Sequence, residues 1–172
     1  MAKGTTPRDA GYRRCVGVML FNGRGQVWVG QRADRAEPAW QMPQGGIDKG
    51  EAPERAARRE LCEEIGLEGA LLLAEAPGWY TYDFPPGVGR GRHRGQKQRW
   101  FAMLHRGDDA AFDLDAHSPP EFSAWRWVGL DEAVALVVAF KRPVYRAVAA
   151  AFADLPRRIR EGAVNLPLTC RG

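Results

Sequence analysis

The chain has 172 residues, a formal net charge of +4 at pH 7, and 45% hydrophobic and 27% charged residues. These values are typical of a single soluble globular domain with its own core. They argue against a membrane protein, since no apolar run approaches the ~20 residues of a membrane span. The N-terminus is polar and basic, without the apolar segment of a secretory signal.

The cysteines favour neither a disulfide framework nor a zinc site. There are three, an odd number, and none stands in C-x-x-C spacing: Cys15, Cys62 and Cys170. Such usage is typical of a reducing compartment. We therefore expect a cytoplasmic location.

Basic residues are concentrated in the segment "RGRHRGQKQR" (90–99) and in a second group at Arg157, Arg158 and Arg160. A mildly positive chain suits an anionic partner. The same charge is equally typical of a solvated surface. On composition alone, both interpretations remain open.

The order of predicted elements indicates an α/β fold. The apolar runs 15–21 and 26–32 flank the turn "NGRG", which predicts a β-hairpin. Further strands are predicted at 70–75, 78–84, 98–104 and 122–130, and a helix that begins with proline at 143–155. A hairpin, helices and further strands favour a mixed sheet covered by helices.

One domain accounts for most of the chain. No repeat or linker divides it, so we predict a flexible N-terminus over 1–10 and a single domain over 11–156. The remaining residues, 157–172, are basic and are predicted to form a loosely ordered tail.

A helix is predicted to begin at Pro53, because proline is favoured in the first helical turn. Ala57, Leu61 and Ile65 recur at i, i+4 and i+8 and form its buried stripe. Gly66 supplies the stop signal. The stripe lies on a different face from the glutamates of this helix, so those carboxylates are not expected in the core behind it.

Three glutamates of this helix, Glu60, Glu63 and Glu64, stand at i, i+3 and i+4 on one face. Like charges at that spacing repel by roughly 0.2–0.5 kcal/mol per pair. A solvated acidic face would tolerate this repulsion, whereas a hard divalent cation such as Mg²⁺ or Mn²⁺ would relieve it. The long loop over 36–54, rich in glycine and proline, delivers a further acid to the helix and favours the metal site.

The spacing of these residues resembles a known family signature. Gly45, five residues, Glu51, seven residues and then "RELCEEIGL" (59–67) match the signature of the Nudix hydrolases at every fixed position. The resemblance implies a Nudix-type α/β/α sandwich with a mixed β-sheet. It also implies hydrolysis of nucleoside diphosphates linked to another group, assisted by Mg²⁺ or Mn²⁺ with more than one ion.

The same resemblance implies roles for the signature residues. The implied metal ligands and catalytic carboxylates are Glu60, Glu63 and Glu64, with Gly45 beside them. Arg59 would pair with Glu51 to hold the loop against the helix, and Gly66 would end the helix. A carboxylate also takes a proton from water; Glu64 is the first candidate and Glu121 the second, and the sequence leaves the choice open.

Other segments resemble one subgroup, the RNA pyrophosphohydrolases and dinucleoside polyphosphate hydrolases. They are "GYRRCVGVMLFN", "AWQMPQGGID", "GQKQRWF", "PEFSAWRWV" and "FKRPVYR". Glu121 would then be a further metal ligand, and Phe140 would stack on a base. The residues implied to contact phosphates or the second nucleotide are Arg13, Arg32, Tyr82, Lys97 and Lys141. The alternatives also stand: a solvated acid at 121, a core side chain at 140, and plain surface elsewhere.

The resemblance implies removal of pyrophosphate from the 5′-triphosphate end of RNA, leaving a 5′-monophosphate and promoting mRNA decay. The alternative is asymmetric cleavage of diadenosine tetra- or pentaphosphate, which "WQMPQGGID" and "TYDFPP" also resemble. A non-catalytic nucleic-acid-binding module would need a broken signature, and every ligand position is intact. We expect a monomer without a membrane partner, and the sequence leaves open whether a protein activates it.

Overall fold

The computed structural model describes residues 11–89 and 91–164. Within these residues the strands are β1 (Tyr12–Phe21), β2 (Val27–Arg32), β3 (Trp40–Gln41), β4 (Gln44–Gly46), β5 (Leu71–Glu75), β6 (Tyr80–Asp83), β7 (Gly95–Leu104) and β8 (Phe122–Val128). The α-helices are α1 (Pro53–Ile65), α2 (Leu130–Leu136), α3 (Arg142–Ala151) and α4 (Leu155–Arg160), with 3₁₀ turns at Asp109–Ala111 and Ala139–Lys141.

The strands form one mixed sheet whose main path runs β3-β2-β1-β7-β5. Strands β1 and β7 are parallel over their whole length, from Tyr12 opposite Gly95 to Phe21 opposite Leu104. The other pairs are antiparallel: β4 pairs with β1, β6 with the start of β7, and β8 with β2. The predicted hairpin of β1 and β2 is also present.

Helices cover both faces of the sheet, because side chains alternate between the faces along each strand. Val16, Val18 and Phe101 pack with Ala57 and Leu61 of α1. On the opposite face, Met19 and Trp100 pack with Tyr145 and Val148 of α3 and with Ile159 of α4. The predicted α/β/α sandwich with a mixed sheet is confirmed.

Helix α1 follows the signals in its sequence. Pro53 occupies its first turn, and Gly66 ends it in the left-handed conformation with φ 68° and its N–H bonded to the Cys62 carbonyl. Alanine at that position would be strained, because side chains disfavour positive φ. The predicted stripe of Ala57, Leu61 and Ile65 is buried.

Two features of the C-terminal third differ from the sequence predictions. Helix α2 is too short to show a clear period in the sequence. The helix predicted over 143–155 ends at Ala151, and α4 begins at Leu155 and extends into the segment expected to be a loosely ordered tail. Leu155 and Ile159 explain this order, since both are buried at helical spacing against the core. The predicted flexible N-terminus, Cys170 and the rest of the tail lie outside the described residues.

Among residues 11–89 and 91–164, no helix combines the length and apolar character needed to span a membrane. Cys15 is buried and Cys62 is half-buried, and both are free thiols.

Candidate active site

A cleft of about 1260 Å³ opens where the β3–β4 segment meets α1, the start of β1 and β7, and the turn before α3. It brings together residues that lie far apart in sequence. The predicted site residues that line it are Arg13, Arg32, Gly45, Glu60, Glu64, Tyr82, Glu121, Phe140 and Lys141. Glu63, Lys97, Glu51 and Arg59 are not among the lining residues.

Lys97 is the substrate contact that the fold places elsewhere. Its neighbour Gln96 lines the cleft, and consecutive side chains of a strand point to opposite faces. The Lys97 ammonium instead lies 5.0 Å from the centre of the Trp79 ring. That Lys97 contacts the bound nucleotide stays a prediction; its side chain does not line this cleft, because the strand register, which the sequence segment alone did not give, turns it to the other face.

Arg59 holds the glycine-rich loop against α1. Its guanidinium donates to both carboxylate oxygens of Glu51 at 2.9 Å and to the Gly46 carbonyl at 2.7 Å. The same side chain donates to Glu60 at 2.9 Å and to Glu63 at 3.2 Å. One cation thus offsets the repulsion among the acids of the helix, while the bidentate pair fixes the loop.

Gly45 lies directly over Glu60. A Cβ atom at position 45 would fall 1.9 Å from the Glu60 carboxyl carbon, so this backbone can approach the acid only without a side chain. Glu60 is buried, with 9% of its surface exposed. Burial is the main reason why the pKa of Glu60 is raised, although Arg59 opposes the rise.

Glu64 is buried under the same loop, with 8% of its surface exposed, and accepts a hydrogen bond of 3.2 Å from the Gln44 N–H. The pKa of Glu64 is raised well above its usual range, first by burial and then by the charges of Glu121 and Glu60. As predicted, these carboxylates avoid the apolar core. They are nevertheless buried, because the β3–β4 segment covers them.

The donor set fits a hard divalent cation. Glu60, Glu64 and Glu121 all line the cleft, and carboxylate oxygens are the ligands that Mg²⁺ and Mn²⁺ prefer. In the described part of the chain, no three acidic, histidine or cysteine side chains already converge closely enough to hold an ion. Arg59 holds Glu63 outside the cleft, and Glu64 bonds to backbone. A cation would therefore bind with movement of these side chains.

Lys141 supplies a buried amine on the opposite wall. It donates to the side-chain oxygens of Gln41 at 2.9 Å and Gln44 at 3.3 Å. Burial, followed by the charge of Arg32, lowers the pKa of Lys141 to about 7. The pKa of the amine therefore lies close to neutral pH, and an anion that binds beside it would favour its protonated form.

Arg32 and Glu121 lie on the side of the cleft next to β8. The Arg32 guanidinium forms a bidentate pair with Asp34, at 2.8 and 2.6 Å, and lies 3.9 Å from Glu121. Glu121 is 41% exposed at its side chain and can move. The arrangement leaves this carboxylate available beside the two buried glutamates.

Aromatic rings line one part of the cleft. The Phe140 and Tyr82 rings lie 5.6 Å apart, and Phe84 packs on Tyr82 at 5.8 Å. Phe140 is only partly buried and lines the cleft, so one side of its ring remains available. Aromatic side chains in this setting can stack on a base.

Sequence reasoning missed the amide network that supports this wall. Gln98 is fully buried and donates to Gln96 at 3.1 Å and to Gln44 at 3.4 Å, while Trp100 donates to Gln98 at 3.0 Å. The sequence carries no clear signal for this network, since Gln98 stands between the two basic residues Lys97 and Arg99. Met42, Trp125 and Trp127 pack in the two core clusters, and Trp40 packs against one of them while also lining the cleft.

Comparison with known proteins identifies the family. A NUDIX domain model matches residues 11–148, and the chain belongs to the Nudix family. An RNA pyrophosphohydrolase of Rhodospirillum rubrum is 58% identical over 146 residues, which span 83% of this chain and 87% of that protein. One of Caulobacter vibrioides is 51% identical over 162 residues, spanning 88% and 94%. The structure of a C. elegans Ap4A hydrolase binary complex, 17% identical, matches with a TM-score of 0.61 over 82% of this chain and 98% of that one.

Proposed function

We propose that this protein removes pyrophosphate from the 5′-triphosphate end of RNA and leaves a 5′-monophosphate. The observation that carries the proposal is that buried carboxylates and a partly exposed aromatic wall open onto one cleft, which suits a polyphosphate attached to a base. Two relatives that are 58% and 51% identical over most of their length bear the name RNA pyrophosphohydrolase. Their coverage supports transfer of the activity to the whole domain.

The carboxylates are proposed to hold Mg²⁺ or Mn²⁺, with more than one ion in the complete site. Glu60, Glu64 and Glu121 would supply the ligands from within the cleft, with the Gly45 backbone beside them. Glu63 would join them after leaving Arg59. Such cations, when bound, withdraw charge from a polyphosphate and lower the pKa of bound water.

The chain's own residues divide the remaining work between proton transfer and positioning. Glu64 accepts a proton from the attacking water as the bond between the α- and β-phosphates breaks, and pyrophosphate leaves. A bound cation would favour the ionised form of this carboxylate, which can then accept the proton. Glu121 is the second candidate for the same role.

Basic side chains would hold the phosphates in line for attack. Arg13, Arg32 and Lys141 line the same cleft as the buried glutamates. The Phe140 ring would stack on a base near the 5′ end, which contributes ~1–3 kcal/mol and tolerates any base. The reaction would create the monophosphate end that 5′-end-dependent ribonucleases attack, and thus promote mRNA decay in the cytoplasm.

The test uses purified protein with 5′-triphosphorylated RNA and Mg²⁺. We expect release of pyrophosphate and a monophosphate end, and no turnover once a chelator is added. A parallel assay with diadenosine tetraphosphate compares kcat/KM for the two substrates. A higher value on diadenosine tetraphosphate would assign the protein to dinucleoside polyphosphate hydrolysis, and no metal-dependent product from either would leave a nucleic-acid-binding module as the function.

A further inference from the structure

Trp79 is an exposed aromatic side chain surrounded by cations. Among the described residues it is the large hydrophobic residue that is exposed, with 37% of its surface accessible. Its ring centre lies 5.2 Å from the Arg14 guanidinium carbon, 5.0 Å from the Lys97 ammonium and 5.5 Å from the Arg99 guanidinium carbon. We call these four residues the Trp79 surface.

The Trp79 surface lies on the sheet face opposite the cleft. Arg14 of β1 is paired with Lys97 of β7, and their predecessors Arg13 and Gln96 are also paired. Arg13 and Gln96 line the cleft, so their successors point to the other face. The two sites are therefore separated by the thickness of the strands at one end of the sheet.

Basic side chains surround the indole of the Trp79 surface. Arg99 pairs with Glu75, the acid at the end of β5. Arg14 and Lys97 lie beside the ring as well. Arg14 and Trp79 are both exposed, so the surface is open to a ligand.

We propose that the Trp79 surface binds the single-stranded part of an RNA whose 5′ end occupies the cleft, an inference that rests on the proposed function. Cations beside an exposed aromatic ring match the two parts of a nucleotide chain, the phosphate and the base. A lone exposed ring offers little apolar area for a stable protein interface. It also lacks the apolar face of a membrane-binding helix.

The position of the Trp79 surface gives it a role in selecting substrates by length. An RNA that leaves the cleft over the starts of β1 and β7 passes from Arg13 and Gln96 to Arg14 and Lys97, which are adjacent along each strand. A short substrate ends before this point. Longer RNA therefore gains contacts that a free nucleotide or a dinucleoside polyphosphate lacks.

The test measures binding alone, so it does not depend on hydrolysis. Fluorescent single-stranded RNAs with a 5′-hydroxyl, one of about 20 nucleotides and one tetranucleotide, are titrated with wild type, Trp79→Ala, Arg14→Glu and Arg24→Glu. Arg24 is the matched control, an exposed arginine at the other end of β1. We expect Trp79→Ala and Arg14→Glu to weaken binding of the longer RNA at least about five-fold, with the tetranucleotide and the control unchanged.

Salt dependence gives a second readout. Loss of one phosphate contact is expected to reduce the slope of log K against log salt by about 0.7 for Arg14→Glu. Equal affinities of wild type and Trp79→Ala for the longer RNA would overturn the inference. So would Trp79-dependent binding to phosphatidylserine vesicles without any effect on RNA. Either result leaves the proposed hydrolysis untouched, whereas failure of the hydrolysis assay leaves this binding measurement valid.

Discussion

The Arg59 guanidinium and the Glu51 carboxylate form a bidentate pair, with both N–O distances at 2.9 Å. The pKa of Glu51 falls to about 2, chiefly because of the hydrogen bonds from Arg59. Arg59 lies on α1 and Glu51 on the preceding loop, so the pair fixes the loop against the helix. The position of the loop backbone over the acidic cluster depends on this ion pair.

Arg59→Ala is expected to lower the free energy of unfolding by about 2 kcal/mol, because hydrogen bonds to charged groups are lost and Glu60 keeps a buried, uncompensated charge. Denaturant unfolding in the presence of a chelator measures the loss. Arg55→Ala, an exposed change on the same helix, serves as the control and should have little effect. Equal stability of the two variants would show that the bidentate pair does not hold the loop.

Glu64→Gln is expected to reduce turnover at least about 100-fold, as loss of a general base does. The fold should remain, since the amide has the same shape and removes a buried charge. Steady-state rates and circular dichroism check both parts. Glu68→Gln changes an exposed acid just beyond the same helix and should leave the rate unchanged; a wild-type rate in Glu64→Gln would contradict the assignment.

Gly45→Ala is expected to lower activity on the order of 100-fold, because a displaced catalytic group loses its alignment. The three atoms nearest to the new methyl group all belong to the Glu60 carboxylate, so the side chain rather than the backbone would shift, and the melting temperature should change little. Gly23→Ala is the control, since a Cβ there meets no atom within 4 Å. A fully active Gly45→Ala enzyme would show that Glu60 need not occupy this position.

Phe140→Ala is expected to reduce kcat/KM for triphosphorylated RNA roughly five-fold or more, because base stacking is lost. Hydrolysis of small nucleotides should fall less. The two substrates are compared under identical Mg²⁺ and salt. An equal loss on both would identify Phe140 as a packing residue, in keeping with its contact with Tyr82.

Lys141→Met tests the buried amine through the pH dependence of stability. The pKa of Lys141 is about 7 in the folded protein, against 10.5 for an ordinary lysine. Between these values the unfolded chain holds a proton that the folded protein lacks, so wild-type stability rises with pH. Relative to Lys141→Met in a chelator, we expect the wild type to gain at most about 1.4 kcal/mol per pH unit over this range. Parallel curves for the two proteins would contradict the lowered pKa.

The sequence predicts the local elements well, because their signals are local. Proline and glycine mark the ends of α1, and "NGRG" marks the first hairpin. The parallel pairing of β1 with β7 has no such signal, since it joins segments separated by most of the domain. Helix α4 was missed for a related reason: only packing against the core stabilises a helix of that length.

The candidate site also combines features that the sequence predicts with features that depend on the tertiary structure. The spacing of the family signature places Gly45, Glu51 and Arg59 around the acids of the helix, and the structure has these contacts. The register of β7 decides that Gln96 faces the cleft and Lys97 does not, and a sequence segment does not fix that register. The burial of Glu64 likewise depends on tertiary cover from the β3–β4 segment.

The parallel partnership of β1 and β7 has a consequence for biosynthesis. Strands β2 and β4, which also pair with β1, are made soon after it, whereas its parallel neighbour β7 is complete only once residues 95–104 have been made. Gly25 in the first hairpin turn lies against Pro156, where an added Cβ would be 2.7 Å from the proline carbonyl oxygen. The edge of β1 that faces β7 therefore stays unpaired until those residues have emerged, and the first hairpin turn gains its contact with Pro156 only after α4 has been made.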